Sequence, residues 1–450
     1  TDPFAFSKTL PMWIDHEWLS GVVFCLVARA TGDAGIVVLR GILAILTTLC
    51  VISASLRLTP HFASRFVWIT LCLLHGAGAW ISTVRCQAFT YLFIAILYWV
   101  IIEYRRSQKA LGLMLTPLIG IVWVNMHGGY ALGCVIVGLF CFIELLEKRF
   151  TRTLAMVIAG WGFAPFLTPY GFKVFVPMLF HSLRMPRLNI PEWWPLHTNI
   201  ACFFPTLLCS LVLLYGMVAL RKKLDLFALA ILLFSSYCAF CHLRLISFYM
   251  ITAAVFGGDY VQATVNRLRG IRPTLVLAPL RAGSCAILLL FFAGVIHLGS
   301  LLCSRATSQL DYSGFPVGAV EWLRNNKLSG RLLVDFTTGS YASWRLYPNF
   351  KISMDGRYEE TYPEDTVQQN ARAFDPQSAE GRKALEALNP THILLDMPPP
   401  ELDITSLYGD TWRVVYRDPR ATILARDASG SVATSENYAA VPQDMWVPQL

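Results

Sequence analysis

The sequence predicts a polytopic α-helical membrane protein of roughly ten to eleven spans ending in a soluble α/β domain. Three observations carry this expectation. Of 450 residues, 55% are hydrophobic and only 15% charged, with a mean hydropathy of +0.51, a composition foreign to water-soluble domains. Apolar runs of about 17 to 24 residues, enough to cross roughly 30 Å of hydrocarbon, recur between residues 34 and 303. Beyond residue 303 charged and turn residues return, and no further run of membrane length follows.

In chain order, residues 1–33 read as an external loop. Within it the apolar stretch 18–30 is too short to span and suits an interfacial helix. The expected bundle occupies 34–303, with runs at 34–56, 64–84, 87–104, 109–126, 129–147, 153–169, 199–220, 225–242, 245–263 and 281–303. Every second loop is basic: Arg57 and Arg65; Arg105, Arg106 and Lys109; Lys148, Arg149 and Arg152; Arg221, Lys222 and Lys223; Arg267, Arg269, Arg272 and Arg281. Such clusters stay cytoplasmic. The chain then starts outside with nothing to carry it across, so either a signal-anchor helix is expected ahead of residue 1, the favoured reading, or the short helix at 18–30 itself crosses and the N-terminus is cytoplasmic. The net charge of +8 does not point to nucleic acid, because the basic residues sit in these short inter-span clusters. All 12 cysteines lie at or before Cys303 in apolar stretches, which excludes a disulfide framework.

For residues 304–430 the pattern is helix (316–325), strand (331–336), helix (340–346), strand (351–355), helices at 364–373 and 377–387, then strands at 391–396, 411–417 and 421–426. Alternating strands and helices indicate a small α/β sheet domain, here expected in the periplasm. Residues 431–450 read as an irregular tail.

The outward loops hold a mixture of chemistry-bearing residues that simple connections do not require. Asp2, Asp15, His16 and Glu17 could remove a proton from a hydroxyl or hold a divalent cation, Mg or Mn, with Asp2 and Glu17 as the candidate ligands. Capping of the next helix by Asp15 is the structural alternative. Arg85, a cation on the outer side, and Gln87 beside it could bind a phosphate or a carboxylate; snorkelling to headgroups is the plainer role for the arginine. Asn125 and His127 flank a Gly128-Gly129 turn that lets backbone approach closely. The long loop 168–198 carries Tyr170, Lys173, His181, Arg184, Arg187 and the Pro191-Glu-Trp-Trp-Pro195 motif. Loops of that length are usually functional, and its cations would attract a lipid-linked phosphate. Asp335, Arg345, Asp355 and Arg357 fit a structural ion-pair group of the sheet domain. Cys238 and Cys241 have metal-pair spacing but lie in an apolar run without a second pair, which favours a structural role.

At these clusters the sequence resembles the GT-C superfamily of integral-membrane glycosyltransferases, particularly its bacterial dolichyl-phosphate-mannose protein mannosyltransferase-like members. The resemblance rests on Asp2-Pro-Phe, Trp13-Ile-Asp-His-Glu-Trp-Leu19, Arg85-Cys-Gln-Ala-Phe-Thr-Tyr91 and Trp123-Val-Asn-Met-His-Gly-Gly129. In the last third it rests on Gly339-Ser-Tyr-Ala-Ser-Trp-Arg-Leu-Tyr-Pro348 and Met354-Asp-Gly-Arg357. It implies transfer of a sugar from a polyprenyl-phosphate carrier to a protein, glycan or lipid acceptor at the outer face of a bacterial inner membrane. Asp2 would then be the catalytic base, with His16 and Glu17 supporting it or binding metal. Arg85, Gln87, Asn125, His127, Tyr170, Lys173, Arg184 and Arg187 would contact the substrate and its phosphate. The rival is an inactive scaffold of the same architecture within a larger membrane complex. A lipid flippase would need broken, repeat-related helices at midplane depth, which the sequence does not show.

Overall fold

The structure, a computed structural model, describes residues 2–58, 62–76, 85–172, 190–220, 224–271, 314–396, 407–426 and 433–434. The expected span at 281–303, the basic triplet at 221–223 and nearly all of the expected tail lie outside the described residues. Two compact units emerge, one from His16–Phe172 and Pro186–Gln309, the other from Thr1–Asp15, Lys173–Met185 and Leu310–Leu450.

The first unit is helical. Its elements are α1 (Trp18–Leu56), α2 (Phe62–Gly76), α3 (Gln87–Ser107), α4 (Ala110–Met114), α5 (Thr116–Met126), α6 (Tyr130–Leu146), α7 (Arg152–Phe163), α8 (Ile200–Ala219), α9 (Leu226–Cys241), α10 (Ile246–Phe256) and α11 (Gly258–Ile271). The helices follow the apolar runs, but α1, α3 and α8 alone among the described helices are long and apolar enough to cross a membrane. The physical reasons are local. Pro117 falls in the first turn of α5 and separates it from α4, where a missing N–H is tolerated. Pro165 sits in the 3-10 turn Ala164–Leu167 that ends α7. The run 245–263 is two helices separated at Gly257, and Gly258, which opens the second, lies so close to Arg65 that a side chain there would meet its guanidinium carbon at 2.7 Å.

The short helix expected at 18–30 is present, and α1 is two helices in succession, from Trp18 to Gly32 and from there to Leu56. Gly32, at φ 64° and ψ −157°, interrupts the helix there, a conformation glycine adopts without steric cost. Helix α10 is buried along its whole length, which explains its unbroken apolar sequence. At one end of the unit Arg105 joins Glu144 of α6 at 2.7 Å and Asp225, which caps α9, at 2.9 Å. The cysteines among the described residues are all free.

The second unit is a mixed sheet with helices. It comprises α12 (Val317–Asn325), β1 (Gly330–Leu333), α13 (Phe336–Leu346), β2 (Phe350–Ile352), α14 (Tyr358–Thr361), α15 (Glu364–Ala373), α16 (Ala379–Leu388), β3 (His392–Asp396), β4 (Trp412–Arg417), β5 (Ala421–Arg426) and β6 (Ala433–Thr434). The strand order is β2-β1-β3-β5-β4-β6. β1 runs parallel to β2 and β3, and β5 is antiparallel to both β3 and β4. One face packs Leu332, Phe350 and Ile352 against α12 and α13. The other packs Leu333, Ile393 and Leu424 against α15 and α16.

The first part of the expected loop, Thr1–Asp15, belongs to the sheet unit. Ala5 bridges Ile352 in parallel fashion. Phe6 N donates to Ile352 O at 3.0 Å, and Ile352 N donates to Phe4 O at 2.9 Å. Leu10 N reaches Thr361 O at 2.7 Å, and Trp13 Nε1 reaches Glu360 at 3.2 Å. The free side of β2 is an edge whose backbone groups need partners, and the Phe4–Phe6 segment supplies them.

Candidate functional site

The helical unit assembles its site where three helix ends meet. Glu17 is the N-cap position of α1, Cys86 that of α3, and His127 follows the last residue of α5. Trp18 Nε1 donates to Asn125 Oδ1 at 2.8 Å, and Ser20 Oγ donates to Met126 O at 2.6 Å, so α1 is tied to the end of α5. Below these bonds, Leu43, Phe89 and Met126 are buried with Leu19, Val23 and Phe24 packed on them. The apolar periodicity of three helices thus fixes the positions of three polar residues.

Around the Glu17 carboxylate, His127 Nε2 lies 3.4 Å and His16 Nε2 3.5 Å from Oε1. The Glu17 side chain is 34% exposed and that of His127 10%. Burial alone would raise the Glu17 carboxyl, but the His16 hydrogen bond, the imidazole charges and the Cys86 thiol outweigh it and hold it at about 2. Burial also drives His127 down to about 3, with the nearby Glu17 charge opposing and Arg244 and His16 reinforcing. The Cys86 thiol is pushed up by burial and by Glu17. At neutral pH the centre is therefore one carboxylate beside a neutral imidazole and a protonated thiol.

The glycine turn is required by geometry. A side chain on Gly129 would meet His127 Nδ1 at 2.7 Å, and one on Gly128 would meet His16 at 3.2 Å.

On the neighbouring surface Arg85 pairs with Glu192 at 2.6 Å, and Arg244 approaches the same carboxylate at 3.5 Å. Arg244 also lies over the Trp193 ring at 5.2 Å. His242 Nδ1 donates to Trp193 O at 2.8 Å, and Leu243 N donates to Trp194 O at 3.0 Å. These bonds fasten the Pro191-Glu-Trp-Trp-Pro195 motif to the residues after α9. Arg85 thus has a protein carboxylate as partner, one of the two kinds of anion its outer position suggested.

The remaining expected residues separate into groups. Asn125 is a buried clamp between Trp18 and the carbonyl of Ile121 at 2.8 Å. Gln87 is buried in the first turn of α3, and Tyr170 is half-buried in a turn before Gly171. Lys173, His181, Arg184 and Arg187 lie outside the described residues. The helix expected to start at His16 under an Asp15 cap starts at Trp18, with no side-chain cap on Glu17.

Asp2 lies in the sheet unit, where both its oxygens face Arg357, at 2.6 and 3.1 Å. Its Oδ1 also accepts from Phe4 N and Ala5 N. Arg357 simultaneously holds Asp355 at 2.7 Å and stacks on Phe4 and Trp13 at 5.2 and 5.0 Å. Burial would raise the Asp2 carboxyl, yet Arg357 and the two backbone donors keep it below the ordinary range. Of the other ion-pair candidates, Asp335 caps α13 through Thr337 N and Thr338 N, and Arg345 pairs with Glu321 at 2.7 Å.

The expected divalent cation can be tested on the donor set. Glu17, Cys86 and His127 bring ligand atoms within 4.8 Å of one another. One carboxylate with a thiol and an imidazole does not fit Mg or Mn, which take oxygen ligands. The second carboxylate named for that role, Asp2, is engaged by Arg357.

Sequence reasoning passed over Cys86, Thr90 and Arg244 as site members. Arg244 carried a usable signal, being a second outer-loop arginine against the positive-inside trend, like Arg85. Comparison of the chain with protein-family models and with curated proteins finds no match.

Proposed function

We propose that the chain is an integral-membrane glycosyltransferase of GT-C type that moves a sugar from a polyprenyl-phosphate carrier to an acceptor hydroxyl at the outer face of a bacterial inner membrane. The ten-span topology and periplasmic sheet domain belong to this proposal; the three membrane-length helices support it. The observation that carries it is the ionised Glu17 carboxylate set among His127, His16 and Cys86, with Arg85 and Arg244 gathered on Glu192 nearby.

The base role passes from Asp2 to Glu17. In the reaction, the acceptor oxygen forms a bond to the anomeric carbon while the bond from that carbon to the phosphate oxygen breaks, and its electron pair leaves with the phosphate. The acceptor hydroxyl hydrogen-bonds Glu17, and its proton passes to the carboxylate as the new bond forms. Arg85 and Arg244 would meet the growing phosphate charge, exchanging Glu192 for it. No step calls on a metal.

The test uses the full chain in lipid nanodiscs with tritium-labelled polyprenyl-phosphate sugars and envelope extract as acceptor. Label appearing in extract with the parent chain and vanishing with Glu17→Gln supports the reading. Absence of transfer with every sugar, together with stoichiometric recovery of partner subunits, supports the inactive-scaffold alternative.

A further inference from the structure

The hydrogen bonds behind His127 determine which of its nitrogens carries the proton. Trp123 Nε1, a donor only, lies 2.8 Å from Thr90 Oγ1. Thr90 therefore uses a lone pair toward Trp123 and keeps its own hydrogen for His127 Nδ1, 2.8 Å away. Gly129 N, another obligatory donor, points at the same Nδ1 from 2.9 Å. Two donors aimed at Nδ1 require its lone pair, so the hydrogen of the neutral imidazole resides on Nε2. Nε2 is the atom that faces Glu17 Oε1 at 3.4 Å. Trp123, Thr90 and His127 are buried, at 0%, 3% and 8% exposed, which shields the Trp123–Thr90–His127 bonds from water.

A histidine that ligates a metal through Nε2 shows the opposite pattern, with Nδ1–H donating to an acceptor behind it. By residue type Glu17, Cys86 and His127 would suit zinc, but in this tautomer Nε2 has no lone pair to give.

We propose that Trp123, Thr90 and Gly129 are positioning residues that lock His127 with its Nε2–H toward Glu17, making the pair a metal-free carboxylate–imidazole dyad. This rests on the glycosyl-transfer reading only for its purpose, not for its geometry. In that reaction the dyad orients the Glu17 carboxylate, and Glu17 alone takes the proton.

The full chain labelled with 15N-histidine, in nanodiscs, provides the test, the His127 signals being assigned by their loss in His127→Gln. The expected result is an unprotonated Nδ1 and a protonated Nε2 from pH 5 to 8, unchanged on adding Zn²⁺ or Mn²⁺. Thr90→Val, which removes one donor, is expected to shift the Nδ1 signal and lower kcat about tenfold with little change in KM, and Thr90→Ser to restore both. A protonated Nδ1, or one Zn²⁺ or Mn²⁺ retained per chain and lost in Cys86→Ala, would overturn the proposal. The unprotonated Nδ1 without sugar transfer in any variant would keep the dyad and remove the glycosyltransferase reading instead.

Discussion

Replacing Arg357 by methionine removes the cation that two buried carboxylates share. The Asp2 side chain is 6% exposed and that of Asp355 5%, so neither finds water as a substitute partner. Breaking a buried pair from one side costs about 3–5 kcal/mol, and the lost stacking on Phe4 and Trp13 adds about 0.5–1 kcal/mol per ring. The strain falls on the segment that Asp2 anchors, where Phe4 O and Phe6 N complete the edge of β2. Hydrogen exchange measured by mass spectrometry on the full chain in micelles reads this directly. Peptides covering 4–6 and 350–352 are expected to exchange at least about a hundredfold faster in Arg357→Met, since about 1.4 kcal/mol corresponds to a factor of ten. Peptides from β3 and β5 should change little. Adding Asp2→Asn and Asp355→Asn removes the uncompensated charges and should recover a large part of the protection. Unchanged exchange in Arg357→Met would refute the view that this pair holds the first residues on the sheet.

Further expectations concern the helical unit. His127 is depressed to about 3 in the folded chain, below its ordinary 6.5, so the unfolded chain takes up a proton first as pH falls. Stability is therefore lost below pH 6.5, at up to about 1.4 kcal/mol per pH unit. Glu17, held at about 2, contributes stability above its ordinary 4.5 and loses it only between 4.5 and 2. Thermal scans should thus show a decline from pH 6.5 to 4.5 that His127→Gln flattens; an identical slope in both proteins would contradict the neutral buried imidazole. Arg85→Gln and Arg244→Gln break contacts to the partly exposed Glu192, so each should lower stability by less than about 1 kcal/mol yet raise the KM for the lipid-linked donor about tenfold or more; an unchanged KM would remove them from the phosphate site. Gly129→Ala should abolish transfer and lower the melting temperature, because its Cβ overlaps Thr90 and His127; normal turnover would show that the turn is not held closed as described.

The sequence revealed the parts of this molecule governed by local chemistry. The helices track the apolar runs because their burial is set by hydropathy, and strands β3, β4 and β5 appear within one residue of where their β-branched and apolar patterns place them. What stayed hidden depends on long-range pairing. Nothing in Asp2-Pro-Phe announces that this segment completes the edge of β2 some 350 residues away. The break in α1 was visible: Gly32 falls between the short apolar stretch 18–30 and the run that starts at 34. Within the site, His127 and the glycine turn were legible because a Gly-Gly beside a histidine is unusual between two apolar runs. Thr90 was not, since a buried threonine in an apolar helix looks the same whether it fills space or donates to an imidazole.

The central claim is that Glu17, not Asp2, takes the acceptor proton, and the rates of Glu17→Gln and Asp2→Asn on labelled polyprenyl-phosphate sugar in nanodiscs test it most directly. Glu17→Gln should lower kcat by about 10²–10⁴, the usual contribution of a general base, with donor binding preserved. Asp2→Asn should remain within a few-fold of the parent once shown to be folded. A folded Asp2→Asn protein without turnover, beside a Glu17→Gln protein that turns over normally, would contradict the account.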